Sequence, residues 1–123
     1  MLFRSVLIVD DSMLVVQRIA GMLRELTCID CVISALNYNE AEKVLANHEV
    51  DIALLDINMP GKSGIELLNF MKEKYPCITN IMLTNQSNEY YRNLCLQLGA
   101  DYFLDKTSEF DRVPELIQSF HCA

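Results

Sequence analysis

The chain is short of positive charge, of glycine and of long apolar runs, and each shortage removes a class of function. Ten lysines and arginines stand against seventeen aspartates and glutamates, a formal net charge of -7. Binding to nucleic-acid phosphates depends on clustered cations, so no direct contact with nucleic acid is expected. With only four glycines, there is no glycine-rich turn after the first apolar segment and no P-loop lysine, which argues against dinucleotide binding and nucleotide hydrolysis. No stretch approaches the roughly 20 apolar residues that cross a bilayer, so no membrane insertion is expected. Residues 1–9 are too short for a secretory signal and run at once into Asp10 and Asp11. Five cysteines at irregular spacing fit a reducing compartment better than a disulfide framework, and a cytoplasmic location is expected. Cys28 and Cys31 form a C-x-x-C, but residues three apart in a strand point to opposite faces, which opposes zinc chelation or a redox bridge.

What the chain has is apolar residues, 51% of 123, enough for one packed domain over 1–123. Residues 5–9, 28–35, 51–55, 78–83 and 102–104 read as strands, the first and third apolar enough to be covered on both faces. Between them lie helical periodicities. Ser12 caps a helix whose core face reads as Val15, Ile19, Met22, Leu23 and Leu26, with Leu14, Val16 and Ala20 off that stripe. Asn37 caps a helix carrying Ala41, Val44, Leu45 and His48. Residues 59–64 form a loop by their proline and two glycines, followed by a helix through Ile65, Leu68 and Met71 that Pro76 stops. Asn88 opens a helix that Gly99 closes, and Val113, Leu116, Ile117 and Phe120 mark a last one, with Pro114 in its first turn. Strand then helix, five times, predicts an α/β fold: a doubly wound parallel sheet with helices on both faces.

In such a sheet every crossover returns the chain to the same edge, so residues just after the strands share one rim. Those residues are Asp10 with Asp11, Asp56, Thr84 and Lys106. Taken singly they are ordinary: a helix-capping acidic pair, a turn aspartate, a strand-end threonine, a solvated lysine. Together they are three carboxylates, a hydroxyl and an ammonium, a set suited to a divalent cation and a phosphoryl group. The same two anions after the first strand would repel the phosphate of a flavin mononucleotide.

Ile8-Val9-Asp10-Asp11-Ser12, residues 54–61 (Leu-Leu-Asp-Ile-Asn-Met-Pro-Gly), Thr84, and residues 99–106 (Gly-Ala-Asp-Tyr-Phe-Leu-Asp-Lys) together resemble the receiver domains of two-component response regulators. The resemblance covers residues 5 to about 120 and implies a flavodoxin-like, five-stranded sheet of order 2-1-3-4-5. It implies that Asp56 accepts a phosphoryl group from a histidine kinase or phosphotransfer protein. It implies Mg²⁺ (or Mn²⁺) held by Asp11, Asp56 and the main-chain carbonyl of Asn58, with Asp10 acting mainly through water. Thr84 and Lys106 would each meet a phosphoryl oxygen, and Thr84 with Phe103 would form the conformational switch. On this reading the chain is a phosphoacceptor with self-catalysed phosphorylation and dephosphorylation, not an enzyme in the usual sense, and passes its state to a downstream protein.

The chain departs from the family pattern at two places. Thr107 follows the lysine where many receivers have proline, and Asn85 follows the threonine where alanine or glycine is common. The bulk of Asn85 predicts slow uptake from small donors. Asn58 and Gln86 flank the site at positions suited to orienting a hydrolytic water. Leu14 and Val16 beside the site suggest a docking surface for the donor helix. Other readings stay open: a metal-dependent aspartyl-phosphate phosphatase, although Ser12 stands where such enzymes have a second aspartate; a non-phosphorylated interaction module; or a receiver cut from a longer regulator. His48 and His121 suggest no role.

Overall fold

In the computed structural model, residues 4–86 and 88–121 are described, the side chain of residue 121 excepted. Strands β1 (Arg4–Val9), β2 (Ile29–Ala35), β3 (Ile52–Leu55), β4 (Thr79–Thr84) and β5 (Tyr102–Asp105) alternate with helices α1 (Met13–Leu23), α2 (Tyr38–Asn47), α3 (Gly64–Lys74), α4 (Glu89–Gln97) and α5 (Arg112–His121). The strands form one sheet in the order β2-β1-β3-β4-β5, all pairs parallel. Side-chain alternation divides the core in two. Leu7, Val9, Leu55, Met82 and Phe103 meet α2, α3 and α4 on one face, while Val6, Ile8, Leu54, Ile81 and Leu104 meet α1 and α5 on the other.

Helix starts follow the caps. Asn37 Oδ1 accepts from Glu40 N at 2.9 Å, and Asn88 Oδ1 from Tyr91 N at 3.0 Å. Ser12 Oγ accepts from Val15 N at 3.4 Å. The loop before α3 hides a capping box in the sequence: Ser63 and Glu66 satisfy each other's main-chain N–H groups at 3.3 and 3.4 Å. Past the end of α4, Gly99 turns at φ +108, a backbone that side chains resist.

Two expectations need correction. The buried face of α1 is Val16, Ile19, Ala20 and Leu23: Ile19 and Leu23 fall on it as expected, but Val16 and Ala20 are core while Val15, Met22 and Leu26 are half-buried at its margin. Eight apolar residues crowd that helix, so two stripes at three-and-four spacing compete, and packing against the sheet decides between them. Val16 is therefore core, and only Leu14 (72% exposed) and Met13 (48%) remain as an apolar surface. Cys28 is disulfide-bonded, which the preference for a reducing compartment over a disulfide framework does not anticipate, since spacing alone does not show which cysteines meet in space. Cys31, Cys77 and Cys95 are free, so the C-x-x-C is not bridged within itself. No helix among the described residues is long and apolar enough to cross a membrane.

Candidate functional site

Register brings the carboxylates together. Val9 pairs with Leu55, and Leu55 with Met82, so Asp10 and Asp56, each one residue further on, are neighbours on adjacent strands. The main-chain ladder continues past the strand ends to hold them. Asp10 N donates to Ala35 O at 3.1 Å and Asp56 N to Val9 O at 3.0 Å, while Lys106 N donates to Thr84 O at 3.0 Å. From that anchor the Lys106 side chain reaches back along the rim. Its Nζ donates to Asp10 Oδ2 at 2.7 Å and to Asp56 Oδ2 at 3.0 Å.

Asp10 and Asp56 are buried and Asp11 is exposed, and one ligand atom from each lies within 4.8 Å of the others. Three carboxylates thus lie close together, and one ammonium is shared by the two buried ones. Burial pushes the Asp10 carboxyl above its ordinary 3.8, and the hydrogen bond from Lys106 and that from Ser12 N only partly offset it. Burial alone would lower the Lys106 ammonium, but hydrogen bonds to Asp10 and Asp56 and their negative charge outweigh it and hold it above 10.5. Asp10 is already engaged by Lys106 and, at 2.9 Å, by Ser12 N. Both Asp10 oxygens are thus engaged, while exposed Asp11 and buried Asp56, held only through its Oδ2, have more oxygen left to offer, which fits a hard cation that keeps several waters.

The other expected residues fall around this centre. Thr84 is fully buried, and its Oγ1 accepts from Gln86 N at 3.1 Å. Asn58 is exposed two residues beyond Asp56. Phe103 is 4% exposed, packed inside the α2–α3–α4 core. Asn85 and Thr107 meet: Thr107 Oγ1 donates to Asn85 Oδ1 at 3.0 Å, tying the loop after β4 to the loop after β5. His48 is the C-cap of α2 and stands apart from the rim; the side chain of His121 lies outside the described residues.

Gly64 is a residue the sequence reading missed. A Cβ built there would overlap the main-chain oxygen of Asp56 and lie 2.7 Å from its carbonyl carbon. Helix α3 starts directly on the backbone of Asp56, with Gly64 N donating to Ile57 O at 2.9 Å. In the sequence Gly64 looked like one more turn glycine of a Pro-Gly-rich loop. The only signal was its place one residue after a Ser-x-x-Glu cap.

Residues 6–118 match the family described as the response regulator receiver domain. The chain is 29% identical over 116 residues to the transcriptional regulatory protein MalR of Bacillus subtilis (strain 168), covering 94% of this chain and 49% of that protein. It is 33% identical over 107 residues to a cyclic di-GMP phosphodiesterase of Thermotoga maritima, covering 83% of this chain and 27% of that protein. The chain thus spans about half or less of these curated relatives. Among solved structures, a CheY-like receiver domain protein from Methanospirillum hungatei JF-1 is 26% identical, with a TM-score of 0.85 over 95% of this chain and 92% of that one. A CheX-CheY-BeF3-Mg+2 complex from Borrelia burgdorferi is 28% identical, with a TM-score of 0.82 over 96% and 89%. The isolated REC domain of RcsB from Salmonella enterica serovar Typhimurium shares the fold at a TM-score of 0.90 and 21% identity, over 98% and 90%. A carboxylate rim bridged by one lysine, on a sheet of this order and with this match over nearly its whole length, places the chain in the response regulator receiver domain family of two-component systems.

Proposed function

We propose that residues 1–123 form a single phosphoacceptor domain in which Asp56 takes a phosphoryl group from a histidine kinase or a histidine phosphotransfer protein. The observation that carries this is the Lys106 ammonium held between the buried carboxylates of Asp10 and Asp56. An oxygen of Asp56 attacks the phosphorus of a phosphohistidine; the P–N bond breaks as the P–O bond forms, and the imidazole leaves and takes up a proton. Lys106 then turns part of its charge from the carboxylate to a phosphoryl oxygen, and the Thr84 hydroxyl donates to another. Water attack on the phosphoryl group restores Asp56, with Asn58 and Gln86 positioned to orient it.

The donor set fits a divalent cation, since three carboxylates lie close together, two of them buried, and one ammonium reaches only the buried two. Asp11, Asp56 and the Asn58 carbonyl would hold Mg²⁺ or Mn²⁺, with Asp10 acting through water. Such an ion offsets the negative charge of the transferring group. Leu14 and Met13, exposed beside Asp11, give a donor helix an apolar surface. A cytoplasmic location and an output through a downstream protein, or through further segments of a longer regulator, follow from the same reading.

Intact-mass spectrometry tests the proposal. Incubation with Mg²⁺ and a phosphodonor should add one phosphoryl group to the wild type and none to Asp56→Asn, with no steady turnover of an aryl phosphate. Equal labelling of both proteins would refute it, and sustained turnover would favour the phosphatase reading.

The bond between Asn85 and Thr107 also has a kinetic consequence. It ties the loop after β4 to the loop after β5 next to Lys106, and if the bulk of Asn85 restricts small donors there, Asn85→Ala should speed labelling by acetyl phosphate roughly tenfold, ~1.4 kcal/mol of barrier. Unchanged rates would show that the approach is not restricted there.

A further inference from the structure

Arg92 on α4 grips one residue twice. Its Nη1 donates to the main-chain oxygen of Phe103 at 3.2 Å, and its Cζ lies 4.9 Å from the centre of the Phe103 ring. Its Nη2 is also 3.7 Å from Glu109 Oε1. That same oxygen accepts the main-chain N–H of Asp105 at 2.9 Å, and Asp105 immediately precedes the lysine that bridges the two buried carboxylates. Arg112 Nη1 holds the other Glu109 oxygen at 2.9 Å. A polar chain therefore runs from α4 through Arg92, Glu109 and the Asp105 amide to Lys106. A planar guanidinium suits this arrangement because it can cover a ring face and donate in its own plane at once.

We propose that Arg92 is a positioning residue that holds the Phe103 ring in its inner place before any phosphoryl group arrives, joining α4 to the turn that carries Lys106. The proposal rests on the reading of Phe103 as the switch aromatic. With the ring already 4% exposed, the rearrangement that phosphorylation would otherwise have to drive is largely complete. A ligand that favours the inner-ring state then binds more tightly, because little of its affinity is spent on shifting the population. The exposed part of the Arg92 guanidinium is the handle by which a protein seated on α4 would alter the ring and, through Glu109, the phosphorylation site.

The full chain labelled with ¹³C-phenylalanine provides the test, with the Phe103 ring signal assigned by its loss in Phe103→Leu. In the wild type without ligand, that signal should report a buried ring and change little on adding beryllofluoride with Mg²⁺. In Arg92→Ala it should shift toward an exposed, averaged position without ligand and return at saturation. Beryllofluoride affinity should fall about threefold to tenfold. Arg92→Lys should recover part of both effects, since an ammonium can sit over the ring but cannot also hold its carbonyl. Glu109→Gln should lower affinity less than Arg92→Ala. An Arg92→Ala protein with wild-type ring signal, affinity and thermal stability would overturn the proposal. A failure of the switch reading looks different: Phe103→Leu would then leave the ligand-induced shifts of α4 and β5 unchanged. If the wild type does not bind beryllofluoride at all, the phosphoacceptor reading falls, and the unliganded ring signal of Arg92→Ala still decides whether Arg92 holds the ring.

Discussion

Gly64→Ala is expected to lower the unfolding free energy by about 3 kcal/mol, the upper range for overpacking, and to slow phosphoryl uptake roughly a hundredfold. The added methyl has nowhere to go, because it would fall on the carbonyl of Asp56, which is backbone and cannot swing aside as a long side chain can. Either α3 lifts off, breaking the bond from Gly64 N to Ile57 O, or the Asp56 peptide is pushed along the rim. The first costs stability and the second misplaces the nucleophile. Urea unfolding and single-turnover phosphorylation separate the two. A variant as stable and as fast as the wild type would show that α3 does not bear on Asp56 as described. Gly61 makes an internal control: its φ of +78 also disfavours alanine, but a Cβ there meets nothing, so Gly61→Ala should cost about 1 kcal/mol of strain and leave phosphorylation intact.

Lys106→Met removes the one cation between two buried carboxylates. Breaking a buried pair from one side typically costs about 3–5 kcal/mol, because the remaining charge is left uncompensated. At neutral pH and without divalent cation, a loss near the lower figure is expected, since the side chains are 4, 7 and 12% exposed for Asp10, Asp56 and Lys106. The pH dependence gives the sign. Lys106, held above 10.5 in the fold, supplies stability that is complete below pH 10.5 and fades as pH climbs through its folded value. Asp10, raised above 3.8 by burial, does the reverse: its charge subtracts from stability at neutral pH, and the penalty is relieved as pH falls through the raised value toward 3.8. In Lys106→Met the lowering influence of the ammonium is gone, so Asp10 rises further. The variant should gain on the wild type as pH falls from 7 toward 4, and it should lose the alkaline decline assigned to Lys106. Mg²⁺ should restore part of the neutral-pH loss in thermal melts. A variant as stable as the wild type at pH 7, with no dependence on pH or Mg²⁺, would mean that the three charges do not share one pocket.

Much of this site was legible in the sequence because parallel topology does the gathering. Once the family resemblance supplies the strand order that makes residues 5–9 and 51–55 neighbours, Asp10 and Asp56 must lie side by side, whatever their separation along the chain. The capping roles of Asn37 and Asn88 were equally plain, since each depends on a local bond to a residue three positions on. Rotation of α1 was not legible. Its apolar residues outnumber what one face needs, and only contact with the sheet selects Val16 and Ala20 over Val15. Gly64 was hidden for another reason: a close approach between distant backbones leaves no mark that distinguishes it from a turn. The grip of Arg92 on Phe103 is likewise tertiary, joining a helix to the strand that follows it by geometry that spacing does not reveal.

The most direct test of the account is to find where the phosphoryl group is bonded. After phosphorylation and reduction with borohydride, an aspartyl phosphate becomes homoserine, and peptide mapping by mass spectrometry should place that homoserine at position 56 alone. Homoserine at Asp10 or Asp11, or a retained phosphoryl group on a histidine with position 56 unmodified, would contradict it.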